Sequence, residues 1–80
     1  MNEVILYTQP NCGLCNDAKI QLEIAHEDVA LKVEEINIQL NDALNELYCI
    51  RVPVLVDRKN KQVIQEGQID FVTIIDYFSK

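Results

Sequence analysis

The stretch Tyr7-Thr8-Gln9-Pro10-Asn11-Cys12-Gly13-Leu14-Cys15-Asn16-Asp17-Ala18-Lys19 carries two cysteines three apart, between an apolar run and a helical pattern. Upstream, Val4 to Tyr7 is unbroken apolar sequence, which suits a strand covered on both faces in the middle of a mostly parallel sheet. Thr8 to Asn11, with Pro10, ends that strand. Downstream, Leu14, Ala18, Leu22 and Ala25 recur at helical spacing while Asp17, Gln21 and Glu23 fall off the stripe, so a helix starts at Cys12. Three readings of the pair are open on these residues: a redox couple, half of a metal site, or two packed thiols.

Working outward, Ile20 and Ile24 lie off the helical stripe and are expected to pack beside a neighbouring helix rather than form a partner surface. His26, near the helix end, reads as a solvated residue favoured there by the helix dipole. Leu31, Val33, Ile36 and Ile38 suggest a second strand, in which the double Glu34-Glu35 shifts the alternation and points to a bulge. Asn41 is a good N-cap for a short helix carrying Ala43, Leu44 and Leu47, which stops near Tyr48-Cys49. Val54 to Val56 reads as a third strand, Asp57 to Lys61 as a polar turn, and Gln62 to Glu66 as a fourth strand returning antiparallel. Asp70 can cap a last helix whose Phe71, Ile74, Ile75 and Phe78 follow the i, i+3, i+4, i+7 pattern. The order is β-α-β-α-β-β-α, an α/β fold.

Eighty residues with 49% apolar and 25% charged side chains are expected to form one domain, residues 1–80, as a monomer. A net charge of −6 opposes nucleic-acid binding, which draws its affinity from basic patches. The one concentration of positive charge, Arg58, Lys59 and Lys61, reads as a solvated turn. The start Met1-Asn2-Glu3-Val4-Ile5-Leu6-Tyr7 shows no basic segment or cleavage pattern, and no later apolar run approaches the ~20 residues of a membrane span. A cytoplasmic protein with no membrane partner is expected. Three cysteines without a secretion signal look like one pair and one spare rather than a disulfide framework.

A strand that delivers Cys12 to a helix N-terminus sets its sulfur near unpaired backbone N–H groups and the positive end of the helix dipole, both of which favour thiolate. Cysteines so placed titrate at roughly 3.5–7.5 instead of about 8.5. Cys15, one turn later and less exposed, can reach a mixed disulfide formed on Cys12. A metal site would need further ligands, and Cys49 and His26, the remaining candidates, have no ligand-like spacing. Asp17 and Lys19 carry opposite charges whose effects on the thiolate offset, and both read as helix surface.

With Cys-x-x-Cys after an apolar strand and Val52-Pro53-Val54 before the third, the chain resembles the thioredoxin superfamily, and glutaredoxins most closely. It is similar to short bacterial glutaredoxin-like proteins through Leu6-Tyr7-Thr8-Gln9-Pro10-Asn11-Cys12-Gly13-Leu14-Cys15 and Tyr48-Cys49-Ile50-Arg51-Val52-Pro53-Val54-Leu55. The resemblance covers nearly the whole chain and implies a thioredoxin-like fold, a four-stranded mixed sheet flanked by three helices. It implies that Pro53 follows a cis peptide and faces the cysteines, leaving the backbone of Val52 free to pair with an extended substrate or glutathione. It implies a thiol-disulfide oxidoreductase with Cys12 as nucleophile and Cys15 as resolving thiol, acting on protein disulfides or glutathione mixed disulfides, with no bound cofactor. Glutathione would be a co-substrate, though the reductase system is not named by the residues.

Three positions depart from the glutaredoxin pattern. Gln9 stands where a basic residue is common, so a glutathione carboxylate loses its expected partner. Glu66-Gly67-Gln68-Ile69-Asp70 keeps one glycine and the Asp that would hold a γ-glutamyl end, while capping alone would also explain Asp70. Arg51, two before Pro53, either supplies positive charge to the Cys12 thiolate or a substrate carboxylate, or faces solvent. Cys49 reads as a third redox thiol or, the favoured reading, an inert one tucked behind the loop. The competing function is a binding module that uses the fold for a partner protein or for an intersubunit iron–sulfur cluster or metal. The presence of both cysteines favours the enzyme.

Overall fold

A computed structural model describes residues 2–79. Its elements are β1 (Asn2–Thr8), α1 (Gly13–His26), β2 (Leu31–Asn37), a single 3-10 turn (Ile38–Leu40), α2 (Asp42–Tyr48), β3 (Val54–Asp57), β4 (Val63–Glu66) and α3 (Phe71–Phe78). The sheet order is β2-β1-β3-β4. β1 lies parallel to β2, in register from Asn2 opposite Leu31 to Thr8 opposite Asn37, and antiparallel to β3, with Tyr7 opposite Val54. β4 runs antiparallel to β3. The sheet is thus mixed, and the apolar run in β1 reflects cover on both faces rather than two parallel neighbours.

Alternation along β1 divides the core. Val4 and Leu6 face Ala18, Leu22 and Ala25 of α1 and Ile74 of α3, together with Leu55 and Ile69. Ile5 points to the other face, where it packs with Val54 and Val56 beneath Tyr7, Ile36 and Tyr48. Burying each such aliphatic side chain contributes about 1.5–3 kcal/mol before entropy is counted. The α1 stripe expected from the sequence is buried from Cys15 onward, whereas Leu14 is exposed.

Several local expectations are corrected. The Glu34-Glu35 pair makes no bulge: β2 keeps unbroken register with β1, and the irregularity lies in the β3–β4 hairpin at Leu55/Val56. The two carboxylates simply point to opposite faces, Glu35 to Lys19 and Glu34 to Arg58. Arg58 is therefore ion-paired rather than merely solvated. Ile38 leaves the strand for the 3-10 turn and is fully buried there. Ile20 and Ile24 remain exposed instead of packing against a helix, and Phe71 stands at the edge of the α3 core stripe. His26 is exposed, yet its Nδ1 accepts the Leu31 N–H at 2.9 Å, tying the end of α1 to the start of β2. α2 buries none of its residues completely, so Ala43, Leu44 and Leu47 do not form a core stripe.

Candidate functional site: the Cys12–Cys15 pair and its surroundings

β1 ends at Thr8, and the chain turns through Asn11 in the left-handed region, φ 57°, before Cys12. Asparagine tolerates that conformation because its short polar side chain bonds locally. Cys12 is extended, φ −113° and ψ 109°, and occupies the N-cap of α1. Its Sγ accepts the Cys15 N–H at 3.1 Å, the bond an N-cap oxygen would otherwise take. Its carbonyl accepts the Asn16 N–H.

The two sulfurs are joined as a disulfide, with Cα atoms 5.2 Å apart. They differ in access: Cys12 is half-buried and Cys15 is 2% exposed. Cys15 packs with Ile38 and Val52 in a cluster that Cys12, Tyr7, Leu44 and Tyr48 complete. A site with one reachable sulfur and one hidden behind it can form a bond outward and resolve it inward.

The distant proline segment joins this cluster. Val52-Pro53 is a cis peptide, as the resemblance implied. The Pro53 carbonyl accepts the Gly67 N–H at 2.8 Å, and Gly67 adopts φ 78°, a conformation that favours glycine. The Val52 backbone is only half as free as expected. Its N–H donates to the Tyr48 carbonyl at 3.1 Å, so the Val52 carbonyl oxygen is the group left for an incoming strand.

Arg51 lies partly in solvent, its side chain 38% exposed, and is engaged there by Glu66. Its Nε donates to Glu66 Oε2 at 3.0 Å, its Nη2 pairs with the same oxygen, and its guanidinium lies 5.3 Å from the Tyr48 ring centroid. The Glu66 hydrogen bond pushes its pKa up against a smaller opposing effect of burial. Tyr48 stacks on Tyr7 with centroids 4.9 Å apart. Burial first, then the neighbouring Tyr48 and Glu34, raises the Tyr7 pKa and keeps its hydroxyl neutral. Arg51, Tyr48 and Tyr7 therefore form a layered stack that ends in the cysteine cluster.

Asp70 begins α3 without capping a backbone N–H through its side chain. Its Oδ1 instead accepts the Thr73 hydroxyl at 2.7 Å and the Gln65 amide at 2.9 Å, while its N–H donates to Gln65 Oε1 at 3.0 Å. The Thr73 and Gln65 bonds hold its carboxyl below the ordinary range. The next N–H, of Phe71, donates to Gln21 Oε1 on α1 at 3.0 Å. Gln9 sits half-buried in the β1–α1 turn. Cys49 is exposed at the C-cap of α2, not tucked behind the loop.

Thus the structure gathers Cys12, Cys15 and Val52, and leaves Arg51 and Asp70 engaged with Glu66, Gln65 and Thr73. Sequence reasoning did not single out Tyr7, Tyr48, Gln21, Gln65 or Glu66 as parts of the site. Tyr48 carried a signal, as the start of the segment that ends in Val52-Pro53. Gln21 and Gln65 carried none, because their partners are set by how α3 meets α1 and β4. Among the described residues no three His, Cys, Asp or Glu side chains group in a way that could hold a metal ion, and no helix is long and apolar enough to cross a membrane.

Comparison with solved structures finds the same architecture. Target protein XcR50 from X. campestris matches with TM-score 0.81 at 26% identity, covering 95% of each chain. Protein Ne2328 from Nitrosomonas europaea matches with TM-score 0.83 at 28% identity, over 95% of this chain and 89% of that one. Chloroplastic thioredoxin z shares the fold with TM-score 0.73 at 21% identity, over 99% of this chain and 76% of that one. No curated protein matches the sequence. The sequence profile of the Glutaredoxin-like domain (DUF836) matches residues 3–78. With its thioredoxin fold and its Cys-x-x-Cys pair at the start of α1, the chain belongs to this glutaredoxin-like family, and the pair supports a redox-type function.

Proposed function

We propose that the protein is a thiol-disulfide oxidoreductase in which Cys12 is the nucleophile and Cys15 the resolving thiol. The observation that carries this is the difference between the two sulfurs: Cys12 caps a helix and accepts a backbone N–H, while Cys15 is almost fully buried behind it. In the reduced protein the same N–H and the helix dipole favour a Cys12 thiolate.

The exchange runs in two steps. The Cys12 thiolate attacks one sulfur of a substrate disulfide. A Cys12–substrate bond forms, the substrate S–S bond breaks, and the departing thiolate takes a proton. Cys15, losing its proton, then attacks Cys12 Sγ, and the second substrate thiolate leaves. Two electrons pass to the substrate and the Cys12–Cys15 disulfide remains, as the structure has it. An external thiol, glutathione or a dithiol protein, restores the reduced pair.

The Val52 carbonyl beside Pro53 is placed to pair with the substrate backbone, and Gln9 in the β1–α1 turn flanks its approach. Arg51 holds Tyr48 and so positions the Val52 segment, while Asp70 shapes the neighbouring end of α3. Such reductive cycling suits a compartment that keeps thiols reduced, the cytoplasm.

The test is insulin reduction under glutathione with its reductase and, separately, under thioredoxin reductase. Cys12→Ser is expected to abolish turnover, and Cys15→Ser to accumulate a Cys12 mixed disulfide seen by intact mass. Turnover that survives Cys12→Ser would sink the mechanism.

A further inference from the structure

Val52 packs with Cys15 and carries the carbonyl left open to an incoming strand. The chain that leads into it is weakly anchored. α2 buries none of its residues completely, and Cys49 and Ile50, which join that helix to Arg51, are exposed, Ile50 to 93%. The Arg51 and Val52 N–H groups donate to a single acceptor, the Tyr48 carbonyl, at 2.8 and 3.1 Å. Whatever holds Tyr48 therefore helps to hold Val52.

A firmer hold comes from the end of β4, where two consecutive residues take the two neighbours of Val52. The Gly67 N–H donates to the Pro53 carbonyl at 2.8 Å, while Glu66 Oε2 accepts the Arg51 Nε–H at 3.0 Å and also pairs with Nη2. Glu66 stands opposite Val54 in the β3–β4 ladder, so the sheet sets its backbone place. The connection that follows is closed at its base: Gln65 Nε2 donates to Asp70 Oδ1 at 2.9 Å, and Gln65 Oε1 accepts the Asp70 N–H at 3.0 Å. Alternation along β4 sends the Gln65 side chain to the start of α3 and the Glu66 side chain to Arg51. The Arg51 guanidinium lies 5.3 Å from the Tyr48 ring centroid, so the Glu66 carboxylate acts through Arg51 on the residue whose carbonyl holds Val52.

We propose that Glu66 is a positioning residue for thiol exchange: by holding Arg51 from the end of β4, it sets the Val52 carbonyl where the backbone N–H of a polypeptide disulfide meets it. The proposal rests on the thiol-exchange reading above and deepens it toward disulfides carried on extended chain. The chemistry is unchanged, with the Cys12 thiolate displacing one substrate thiolate and Cys15 the other. An ion pair this exposed, 38% and 43%, adds little to stability, so its effect falls on where the carbonyl stands. Misplacing that carbonyl weakens a hydrogen bond that only a substrate with a backbone N–H can make.

The test follows oxidation of the reduced protein by two uncharged disulfides: a short neutral peptide dimerised through its cysteine, and bis(2-hydroxyethyl) disulfide, which has no backbone N–H. In Glu66→Ala the ratio of peptide rate to small-disulfide rate should fall by about three- to tenfold. Glu66→Gln keeps an acceptor oxygen for Arg51 and should restore most of the ratio. Urea midpoints establish that both variants are folded. An unchanged ratio in folded Glu66→Ala, whether both rates hold or both fall together, would overturn the positioning role while leaving thiol exchange intact. Reaction of the wild-type protein with neither disulfide would overturn the exchange reading itself. A further check needs no variant: methylating the peptide nitrogens that flank the cysteine should lower the wild-type rate by a similar factor. An undiminished rate would remove the Val52 pairing through which Glu66 acts, and with it the proposal.

Discussion

Cys49 closes α2 as an exposed thiol, whereas Cys12 and Cys15 are joined. Iodoacetamide is therefore expected to add one group to the native oxidised protein, at Cys49, and more after reduction. Intact mass and peptide mapping check this, and a second adduct before reduction would contradict it. Cysteine's usual burial argued for a hidden thiol, but burial depends on the helix that carries the residue, and α2 buries no side chain fully. Asp70 shows the same limit at a polar residue. An Asp before an apolar stripe reads as a backbone cap, yet its carboxylate bonds Thr73 and Gln65. Because those bonds lower its folded pKa, the stability it adds is present above the unfolded value, about 3.9, and is lost as pH falls through the folded one. Asp70→Asn, which keeps an acceptor and removes the charge, should thus lower the urea midpoint at pH 7, and its difference from the wild type should shrink as the pH is lowered toward 2. A difference that persists undiminished at pH 2 would show that charge is not what Asp70 supplies.

At the scale of elements, the apolar period was enough for β1, α1, β3 and α3, because each buries one face or sits between two layers, and the polar turn after β3 was enough to mark β4. Adjacent glutamates, in contrast, look alike whether a strand bulges or merely alternates, and only the partners Lys19 and Arg58 on opposite faces separate the two. The 3-10 turn was illegible for a related reason. Ile38 continues the apolar alternation of β2, but Asn37 caps a turn by accepting the Gln39 N–H, and Ile38 swings beneath Cys15 and Val52. This turn couples the end of β2 to the cysteine pair. Ile38→Ala should cost about 2–5 kcal/mol, as truncation of a fully buried aliphatic chain does. It should also raise the alkylation rate of Cys15 in the reduced protein relative to that of Cys12, because the removed side chain is part of what covers Cys15. Urea denaturation and competitive alkylation read the two effects separately. Lost stability with an unchanged Cys15-to-Cys12 ratio would mean that Ile38 fills the core without shielding the resolving thiol.

Across the whole molecule, the acidic balance matters more than its size of −6 alone implies. Four of the seven basic residues are matched by glutamates, and Lys59 and Lys61 lie at the end of the sheet remote from Cys12. Lys80 falls outside the described residues. Asp42 and Glu46 are exposed on α2, the helix that leads through Cys49 and Arg51 to Val52, and Asp17 is exposed in the first turns of α1. The field at the dithiol end is therefore negative, a sign the sequence showed as a sum and the fold keeps at that end. A disulfide approaching Cys12 meets that field before any contact forms, so its charge acts on the encounter rate. Two disulfide-linked peptides that differ only in carrying lysines or glutamates beside the cysteine should react at different rates at low salt, the cationic one faster. Raising ionic strength from about 0.01 to 0.15 M shortens the screening length from about 30 to 8 Å, so the cationic rate should fall, the anionic rate should rise, and the two should converge. Stopped-flow rates for both peptides over that range decide the matter. Parallel lines with no convergence would mean that the difference comes from contacts at the site and not from the field of the molecule.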